Sequence, residues 1–377
     1  MFRAPNYRIF AAAVLLSACP LAGQTPRPPV VNPDRSVTFT LSAPFADKVY
    51  VGGEFDDRFN RPPGALMTKD DKGVWTYTSQ PLEPGIYYYG FVVDGLFTID
   101  PGNTRYRSFI RQTPLNNVLE VRGDTSFAWE VSPETPRGSV QFEEFRSQTL
   151  NRFANMYVYT PPGYAKEPAR SYPVLYLLHG NSTAELGDTS REWMFAGFTN
   201  RILDSLIASG KAREMIVAMV DSQTPTTSAS LPALASLELF EKYLVEEVIS
   251  FVESRYRVEA DRSSRWLAGL SRGGSQTFHV GFRRPDLFSA LGAFSIGLPA
   301  AFPDAYPLVA DTAKLNSQIP VIYYSVGKDD SDQRAPYERG TTMLKQAGIS
   351  FESGGEFGGH IWQVWRNSLV EFVTRLR

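Results

Sequence analysis

A serine flanked by glycines is the residue best suited to chemistry in this chain. Ser271 lies in the segment "GLSRG", with Gly269 two residues before it and Gly273 two residues after it. An apolar run precedes the segment and a run with helical character follows, which is the strand–turn–helix context of a nucleophile elbow. Glycines allow the close backbone approach that such a strained turn requires, and the turn raises the hydroxyl toward backbone N–H groups. We therefore predict that Ser271 is a catalytic nucleophile.

A serine hydroxyl needs a base, and the chain contains three histidines. His360 lies in "GGEFGGHIWQVW", a glycine-rich loop between the last predicted strand and the last predicted helix. Open α/β sheets gather their sites on loops at the carboxyl ends of strands, which favours His360 as the base. His279 lies on the helix after Ser271 and His179 ends the strand segment "YLLHG", so a structural role is expected for both.

An acidic group must orient the imidazole and stabilise its charged form. The segment "YYSVGKDDSD" offers Asp329, Asp330 and Asp332 between the serine and the histidine, which is the order found in α/β-hydrolases. Asp330 is the preferred candidate and Asp329 is the alternative. A solvated acidic turn without a catalytic role is the other interpretation of this cluster.

An oxyanion formed by attack of the serine on a carbonyl group needs two N–H donors. The backbone amide of Arg272, directly after the nucleophile, is one candidate, and the amide of Gly180 or Asn181 is the second. Trp362 and Trp365 follow the base closely, and they either face an aromatic acyl group or belong to the helix core. Three scattered histidines make no metal site, and no phosphate-binding loop motif is present, so no metal and no cofactor are expected.

The elements that must position these residues alternate between strands and helices over residues 138–377. Residues 237–256 have apolar positions at steps of three or four, which predicts a helix, and 361–376 also show a helical period. This order predicts an α/β domain with a mostly parallel sheet and helices on both faces. The predicted strands are "SVQFEEFRS", "FANMYVYTP", "PVLYLLHG", "MIVAMVDS", "RWLAGLS", "PVIYYSVG" and "SFESGGEF".

A second pattern occupies residues 36–122, where short alternating segments are separated by turn residues. "SVTFTLSA", "KVYVGGEF", "GVWTYTSQ", "GIYYYGFVVDG" and "NNVLEV" read as strands, and Asp94-Gly95 predicts a hairpin turn. Six or seven strands in about 90 residues predict a small all-β sandwich. Residues 123–137 are polar and aperiodic, and we predict that they form a linker.

The first 24 residues have the pattern of a signal peptide. Arg3 and Arg8 precede the apolar run "IFAAAVLL", which is too short to cross a bilayer, and small residues follow. "LSAC" is similar to a lipobox ending at Cys19, although Pro20 is uncommon there, so lipidation and ordinary cleavage near "LAGQ" are both open. Residues 25–35 are proline-rich and predict a tether.

Composition narrows the function classes further. The 377 residues carry a net charge of −2 with 38 basic and 40 acidic side chains, which gives no sign of nucleic-acid binding. A membrane association is expected only through the lipid anchor at Cys19. That residue is the single cysteine, so no disulfide can form within the chain.

Several segments in order resemble the esterase D-type α/β-hydrolases, a group that includes feruloyl, acetyl-xylan and enterochelin esterases and mycolyltransferases. They span about 139–377 and include "YPVLYLLHGNS", "RYRVEADRSSRWLAGLSRGGSQT", "SVGKDD" and "GGHIWQVWRNSLVEF". The resemblance implies Ser271 as nucleophile, Asp330 as acid and His360 as base. Arg272 departs from the methionine common after the serine, and residues 223–235 do not match the usual pattern.

The first domain resembles early-set immunoglobulin-like modules related to glycogen-binding domains, on "VTFTLSAPFADKVYVGGEF" and "MTKDDKGVWTYTSQPLEPGIYYYGFVVDG". The tryptophan expected after "GEFDDR" is absent and Phe59 stands nearby, so both glycan binding and a positioning role are open. Trp75 is expected in the core.

Together these features predict an exported, periplasmic or extracellular, serine esterase acting on feruloyl or acetyl groups of polysaccharide. An acyltransferase on the same triad, a siderophore esterase and an inactive carbohydrate-binding protein are the alternatives.

Overall fold

The computed structural model describes most of the chain from residue 27 onward. The described ranges are 27–55, 64–110, 113–124, 127–181, 190–224, 234–298, 311–355 and 357–376, together with Phe302 and Tyr306. Side chains of 106–110 and 113–115 are outside this description. The predicted signal peptide, Cys19 and Phe59 also lie outside the described residues.

The N-terminal part is all-β. Alternate residues of its strands point inward, as with Val37, Phe39 and Leu41, and Trp75 is buried in the same core. One sheet has the order β1-β2-β6-β5, and a second has the order β4-β3-β7-β10-β9 with β8 paired to β7. The strands are β1 Val30–Val31, β2 Val37–Ser42, β3 Val49–Gly53, β4 Ala65–Leu66, β5 Thr68–Lys69, β6 Val74–Thr78, β7 Gly85–Val93, β8 Leu96–Thr98, β9 Tyr106–Ile110 and β10 Thr113–Val121.

The C-terminal part is an α/β domain whose sheet has the order β11-β12-β14-β13-β15-β16-β17-β18. The first two strands run antiparallel, while β13 to β18 are parallel neighbours, of which β13 to β17 are buried and the edge strand β18 is largely exposed. These strands are β11 Ser139–Ser147, β12 Arg152–Thr160, β13 Val174–Leu178, β14 Ile216–Val220, β15 Arg265–Leu270, β16 Ala290–Phe294, β17 Val321–Ser325 and β18 Glu352–Gly354. The α-helices are α1 Glu192–Phe195, α2 Thr199–Ala208, α3 Leu234–Lys242, α4 Ile249–Arg255, α5 Arg272–Arg283, α6 Thr312–Gln318, α7 Arg334–Gln346 and α8 Trp362–Val373.

Hydrophobic periodicity located the long elements and missed some short ones. β16, "ALGAF", was not predicted, because small residues give it little strand character even though all five are buried. The predicted helix over 237–256 is divided by a π-helical stretch, Tyr243–Val248, between α3 and α4. Among the described residues, no helix is both long and apolar enough to cross a membrane.

The predicted tether differs from the structure. Val30–Val31 already pairs with Val37 and Thr38, so the tether predicted for 25–35 includes a sandwich strand. Within the segment predicted as a linker, 123–137, Trp129 is buried and stacks on Phe127 at 4.6 Å between ring centroids, whereas most of the residues after Val131 are exposed.

Helix α8 of the α/β domain forms hydrogen bonds with the β-sandwich domain. Gln363 Nε2 donates to Pro84 O at 2.7 Å, and a methyl group at Gly85 would collide with the Gln363 carboxamide. Arg366 is fully buried and donates to Ile86 O at 3.2 Å, Tyr88 Oη at 3.2 Å and Ala196 O at 2.8 Å. A buried cation requires such partners, so this contact fixes where α8 lies against β7.

The ends of β12 and β14 are joined by an ion pair. Arg152 Nη1 donates to Asp221 Oδ2 at 2.7 Å, and Arg152 Nη2 donates to Gln223 O at 2.7 Å. Burial alone would raise the pKa of Asp221, but contacts with His179 and Arg152 outweigh it and lower the pKa to about 2.

Replacing Arg366 with methionine should destabilise the whole chain. The substitution leaves Ile86 O and Ala196 O buried without their donor, and we expect a loss of about 3 kcal/mol in unfolding free energy. Urea denaturation measures this. Arg339→Met, on an exposed position of α7, is the matched control and should leave the midpoint unchanged. Equal midpoints for both variants would contradict a structural role for the buried cation.

Asp221→Asn should make the unfolding free energy depend less strongly on pH in the acidic range. Because the folded pKa is lowered from 3.8 to about 2, the carboxylate contributes stability above pH 3.8 and loses it as pH falls toward 2. Above pH 3.8 the unfolding free energy of the variant is expected to be about 2 kcal/mol lower than that of wild type. This difference should shrink as the pH falls toward 2. Denaturant midpoints across pH 2–6 test this against the exposed Asp261→Asn control, and a difference independent of pH would refute it.

Candidate active site

The nucleophile elbow has the strained backbone that its glycines predicted. Ser271 has φ 51° and ψ −120° between β15 and α5. A Cβ at Gly269 would lie 2.5 Å from the Gly273 carbonyl, and a Cβ at Gly273 would lie 2.6 Å from His179 O. Ser271 N donates to Phe294 O at 2.7 Å, which anchors the turn on β16. Glycine at both positions is therefore a steric requirement of this turn.

Three side chains distant in sequence meet at this elbow. His360 Nε2 lies 3.2 Å from Ser271 Oγ, and His360 Nδ1 lies 2.7 Å from Asp330 Oδ2. Asp330 is almost fully buried, and its second oxygen accepts the Gln333 N–H at 3.1 Å. The carboxylate is thereby held in one orientation, and it can in turn hold the imidazole in one orientation.

The neighbouring aspartates take other places. Asp329 and Asp332 are exposed, and neither side chain contacts His360. The Asp329 backbone N–H instead donates to Gly358 O at 2.9 Å. This hydrogen bond joins the loop that carries Asp330 to the loop that carries His360. The structure thus brings Asp330, rather than Asp329, to the imidazole.

The two tryptophans after His360 are core residues. Trp362 and Trp365 are only 1% and 6% exposed, so the suggested contact with an acyl group does not fit their burial. Trp365 packs edge-to-face on the His360 ring at 5.0 Å and donates from Nε1 to Ser295 Oγ at 3.0 Å. Trp365 therefore supports the imidazole, and Trp362 packs on Trp365 at 5.1 Å between ring centroids.

The candidate oxyanion donors lie beside Ser271. Arg272 is the first residue of α5, where helix N–H groups lack partners within the helix and favour negative charge. A Cβ at Gly180 would lie 3.5 Å from Ser271 Cβ, so this glycine adjoins the nucleophile. Asn181 is half-buried and follows Gly180 directly. His179 Nδ1 lies 2.7 Å from Gly180 O, and Nε2 lies 2.9 Å from Ser222 N and 3.6 Å from Asp221 Oδ1, so the His179 ring orders this loop.

The Arg272 side chain is 4% exposed, and its guanidinium forms hydrogen bonds within the protein. Its Nη2 donates to Thr224 O at 2.9 Å and contacts Thr224 Oγ1, while Ser236 Oγ lies at 3.4 Å. Burial lowers the pKa of Arg272 to about 10, which still leaves the guanidinium charged at neutral pH. Most of residues 223–235, where the sequence departs from the family pattern, lie outside the described residues.

The third histidine, His279, makes its contacts with residues outside the group of Ser271, His360 and Asp330. His279 is fully buried in α5, with Nδ1 3.2 Å from Tyr306 Oη and Nε2 3.4 Å from Glu241 Oε2. Within the described ranges, no group of three or more His, Cys, Asp or Glu side chains is arranged to hold a metal ion.

Sequence reasoning did not single out several residues in the surroundings of His360. A cleft of about 850 Å³ runs between the sandwich and the loop of His360, and Glu54, Phe55 and Tyr87 line its sandwich side. Ser295 has φ 52° at the end of β16 and receives the hydrogen bond from Trp365. No local motif marks these residues, because their partners lie far along the chain.

Comparison with known proteins places this geometry in a family. The family model named Esterase matches residues 147–376. A Xylanibacter ruminicola protein named endo-1,4-beta-xylanase/feruloyl esterase is 30% identical over 355 residues, which cover 92% of this chain and 46% of that protein. The chain thus spans about half the length of this relative.

Two solved structures share the fold. Enterochelin esterase from Shigella flexneri has a TM-score of 0.69 at 16% identity, covering 94% of this chain and 96% of its own. A ferulic acid esterase from Anaeromyces mucronatus has a TM-score of 0.54 at 21% identity, covering 66% of this chain and 94% of its own. The family match covers more than half of the chain, and the chain therefore belongs to the esterase family and has the α/β-hydrolase fold of these structures.

Proposed function

We propose that this protein is an exported serine esterase that removes feruloyl or acetyl groups from polysaccharide through Ser271, His360 and Asp330. The observation that carries the proposal is the continuous contact from Asp330 Oδ2 to His360 Nδ1 at 2.7 Å and from His360 Nε2 to Ser271 Oγ at 3.2 Å. Both distances are within the reach expected for a nucleophile, its base and the group that orients the base.

In the first half-reaction Ser271 Oγ attacks the ester carbonyl while His360 Nε2 takes the hydroxyl proton. Asp330 stabilises the imidazolium through Nδ1–H, and the backbone amides of Arg272 and of Gly180 or Asn181 bind the developing oxyanion. His360 then gives the proton to the leaving alcohol, which leaves an acyl group on Ser271. A water molecule activated by His360 attacks this acyl-enzyme, and the carboxylic acid and the free serine are regenerated.

The substrate part of the proposal is supported by the named relatives. The relative that is 30% identical is named for xylanase and feruloyl esterase activities, and a ferulic acid esterase shares the catalytic fold. A siderophore ester is the second candidate, because the enterochelin esterase structure matches both domains of this chain. Transfer of the acyl group to another alcohol would use the same triad, with the alcohol in place of water.

Export is part of the same proposal. The basic and apolar pattern of 1–24 supports a cleaved signal peptide, with or without a lipid on Cys19. The mass of the mature N-terminal peptide distinguishes these forms, and a chain that keeps Met1 after expression in a secreting bacterium would contradict export.

Ser271→Ala should abolish hydrolysis of p-nitrophenyl acetate. Loss of the nucleophile removes covalent catalysis, and we expect a fall in kcat of about 10⁴-fold or more. Ser275→Ala, four residues along the same helix, is the matched control for a lost hydroxyl. Rates for Ser271→Ala equal to those of wild type would end the esterase proposal.

A panel of esters tests the substrate class. Feruloylated and acetylated xylo-oligosaccharides should have higher kcat/KM than a catecholate siderophore ester, because a glycan alcohol is the proposed leaving group. Product masses separate free acid from a transferred acyl group. A higher kcat/KM for the catecholate ester would favour the siderophore alternative.

A further inference from the structure

We infer that Glu54, on the N-terminal β-sandwich, is a positioning residue for His360 and acts through the first turn of α8. The inference rests on the proposed role of His360 as the base. It assigns to the sandwich a part in catalysis that does not require the sandwich to bind substrate.

The N-terminus of α8 lacks a capping side chain of its own. Ile361 occupies the N-cap position with extended backbone, φ −134° and ψ 159°, and its side chain cannot accept a hydrogen bond. Glu54 Oε1 supplies the acceptor from the other domain, 3.4 Å from Trp362 N. A carboxylate at this end also interacts favourably with the helix dipole, and Glu54 is only 8% exposed, so solvent screens the interaction weakly.

The Glu54 carboxylate is itself held by a strand. Its Oε2 accepts the Tyr88 N–H at 3.1 Å, and the Glu54 backbone N–H donates to Tyr88 O at 2.9 Å. Tyr88 lies within β7, the central strand of its sheet. The two oxygens therefore bridge β7 and the first N–H of α8.

Gln363 and Arg366 of helix α8 also contact β7 or the residue that precedes it. Gln363 bonds to Pro84 O, and the buried Arg366 bonds to Ile86 O and to the Tyr88 hydroxyl. The start of α8 is thus held by three residues, Trp362, Gln363 and Arg366, through contacts with β7, with Glu54 and with Pro84, which directly precedes β7. His360 precedes Trp362 by two residues, so a shift of this turn moves the imidazole.

The loop that carries His360 needs this outside support. Gly355 and Gly358 have φ of +90° and +69°, and Gly359 separates Gly358 from His360. Such a segment is entropically costly to order. Its upstream side is held by the Asp329 N–H on Gly358 O at 2.9 Å. The downstream side depends on α8, and hence on Glu54.

The test compares Glu54→Ala and Glu54→Gln with Glu83→Ala and Glu83→Gln in the full chain. Glu83 is exposed on the same domain next to Pro84 and matches the change in side chain and charge. We expect kcat on p-nitrophenyl acetate to fall about 10- to 100-fold in Glu54→Ala, since small displacements of a catalytic group have effects of this size. KM should stay within about twofold, because Glu54 is proposed to act through α8 and not by contact with the substrate. Glu54→Gln keeps one acceptor and should lie between Glu54→Ala and wild type.

A second readout separates positioning from general stabilisation. Phenylmethylsulfonyl fluoride reacts with Ser271 only as fast as His360 activates it, so its inactivation rate should fall in parallel with kcat. Both rates are measured well below the unfolding temperature and normalised to titrated sites. A lower unfolding temperature with unchanged kcat and inactivation rate would overturn the inference and leave a stability role only.

The outcomes distinguish this inference from the proposed function. If Ser271→Ala keeps wild-type activity, the proposed function fails. If Ser271→Ala is inactive while both Glu54 variants match the Glu83 variants in kcat, the triad stands and the positioning role fails. Should Glu54→Ala not fold, Glu54→Gln decides: an unchanged kcat overturns the inference and a reduced kcat at constant KM supports it.

Discussion

The constraint on which the rest of the structure depends is the left-handed backbone of Ser271. A non-glycine residue at φ 51° and ψ −120° is costly, and the turn persists only because its surroundings determine it. Gly269 and Gly273 admit the close approach, and the Ser271 N–H is fixed on Phe294 O. The buried parallel strands β13, β15 and β16 supply the packing that offsets the strain. The hydroxyl and the first amide of α5 are consequently presented together, before any substrate arrives.

The histidine is placed by a different kind of constraint. His360 follows a run of glycines, so its position comes from contacts rather than from local backbone preference. Asp330 orients the ring from one side, and Trp365, itself bonded to Ser295, packs on the ring from another. The helix behind both is fastened to β7 of the sandwich. Contacts between α8 and the sandwich therefore help to place His360, which gives a physical reason for the β-domain to accompany the α/β domain.

The sequence was informative where chemistry is encoded locally. Gly269, Ser271 and Gly273 form a compact motif with a steric cause, and the order of Ser271, Asp330 and His360 limited the candidates to a few residues. Long apolar strands were located for the same reason. β16 was missed because its small residues carry no strand preference, and the burial of Trp362 and Trp365 depends on which face of α8 meets the core. Glu54 and Trp362 are 308 residues apart, and no pattern in one sequence links them.

The choice among Asp329, Asp330 and Asp332 shows how burial divides similar residues between roles. Asp330 is 1% exposed and receives the Gln333 N–H, so its charge acts on the imidazole with little competition from water. Asp329 is exposed and contributes its backbone N–H to Gly358 O. One residue of the pair thus fixes the ring, and the other fixes the loop that carries the ring. An exposed carboxylate at position 330 would hold the imidazole less firmly, since solvent would compete for both partners. The burial of the turn after β17 therefore contributes to the orientation of His360 together with the carboxylate itself.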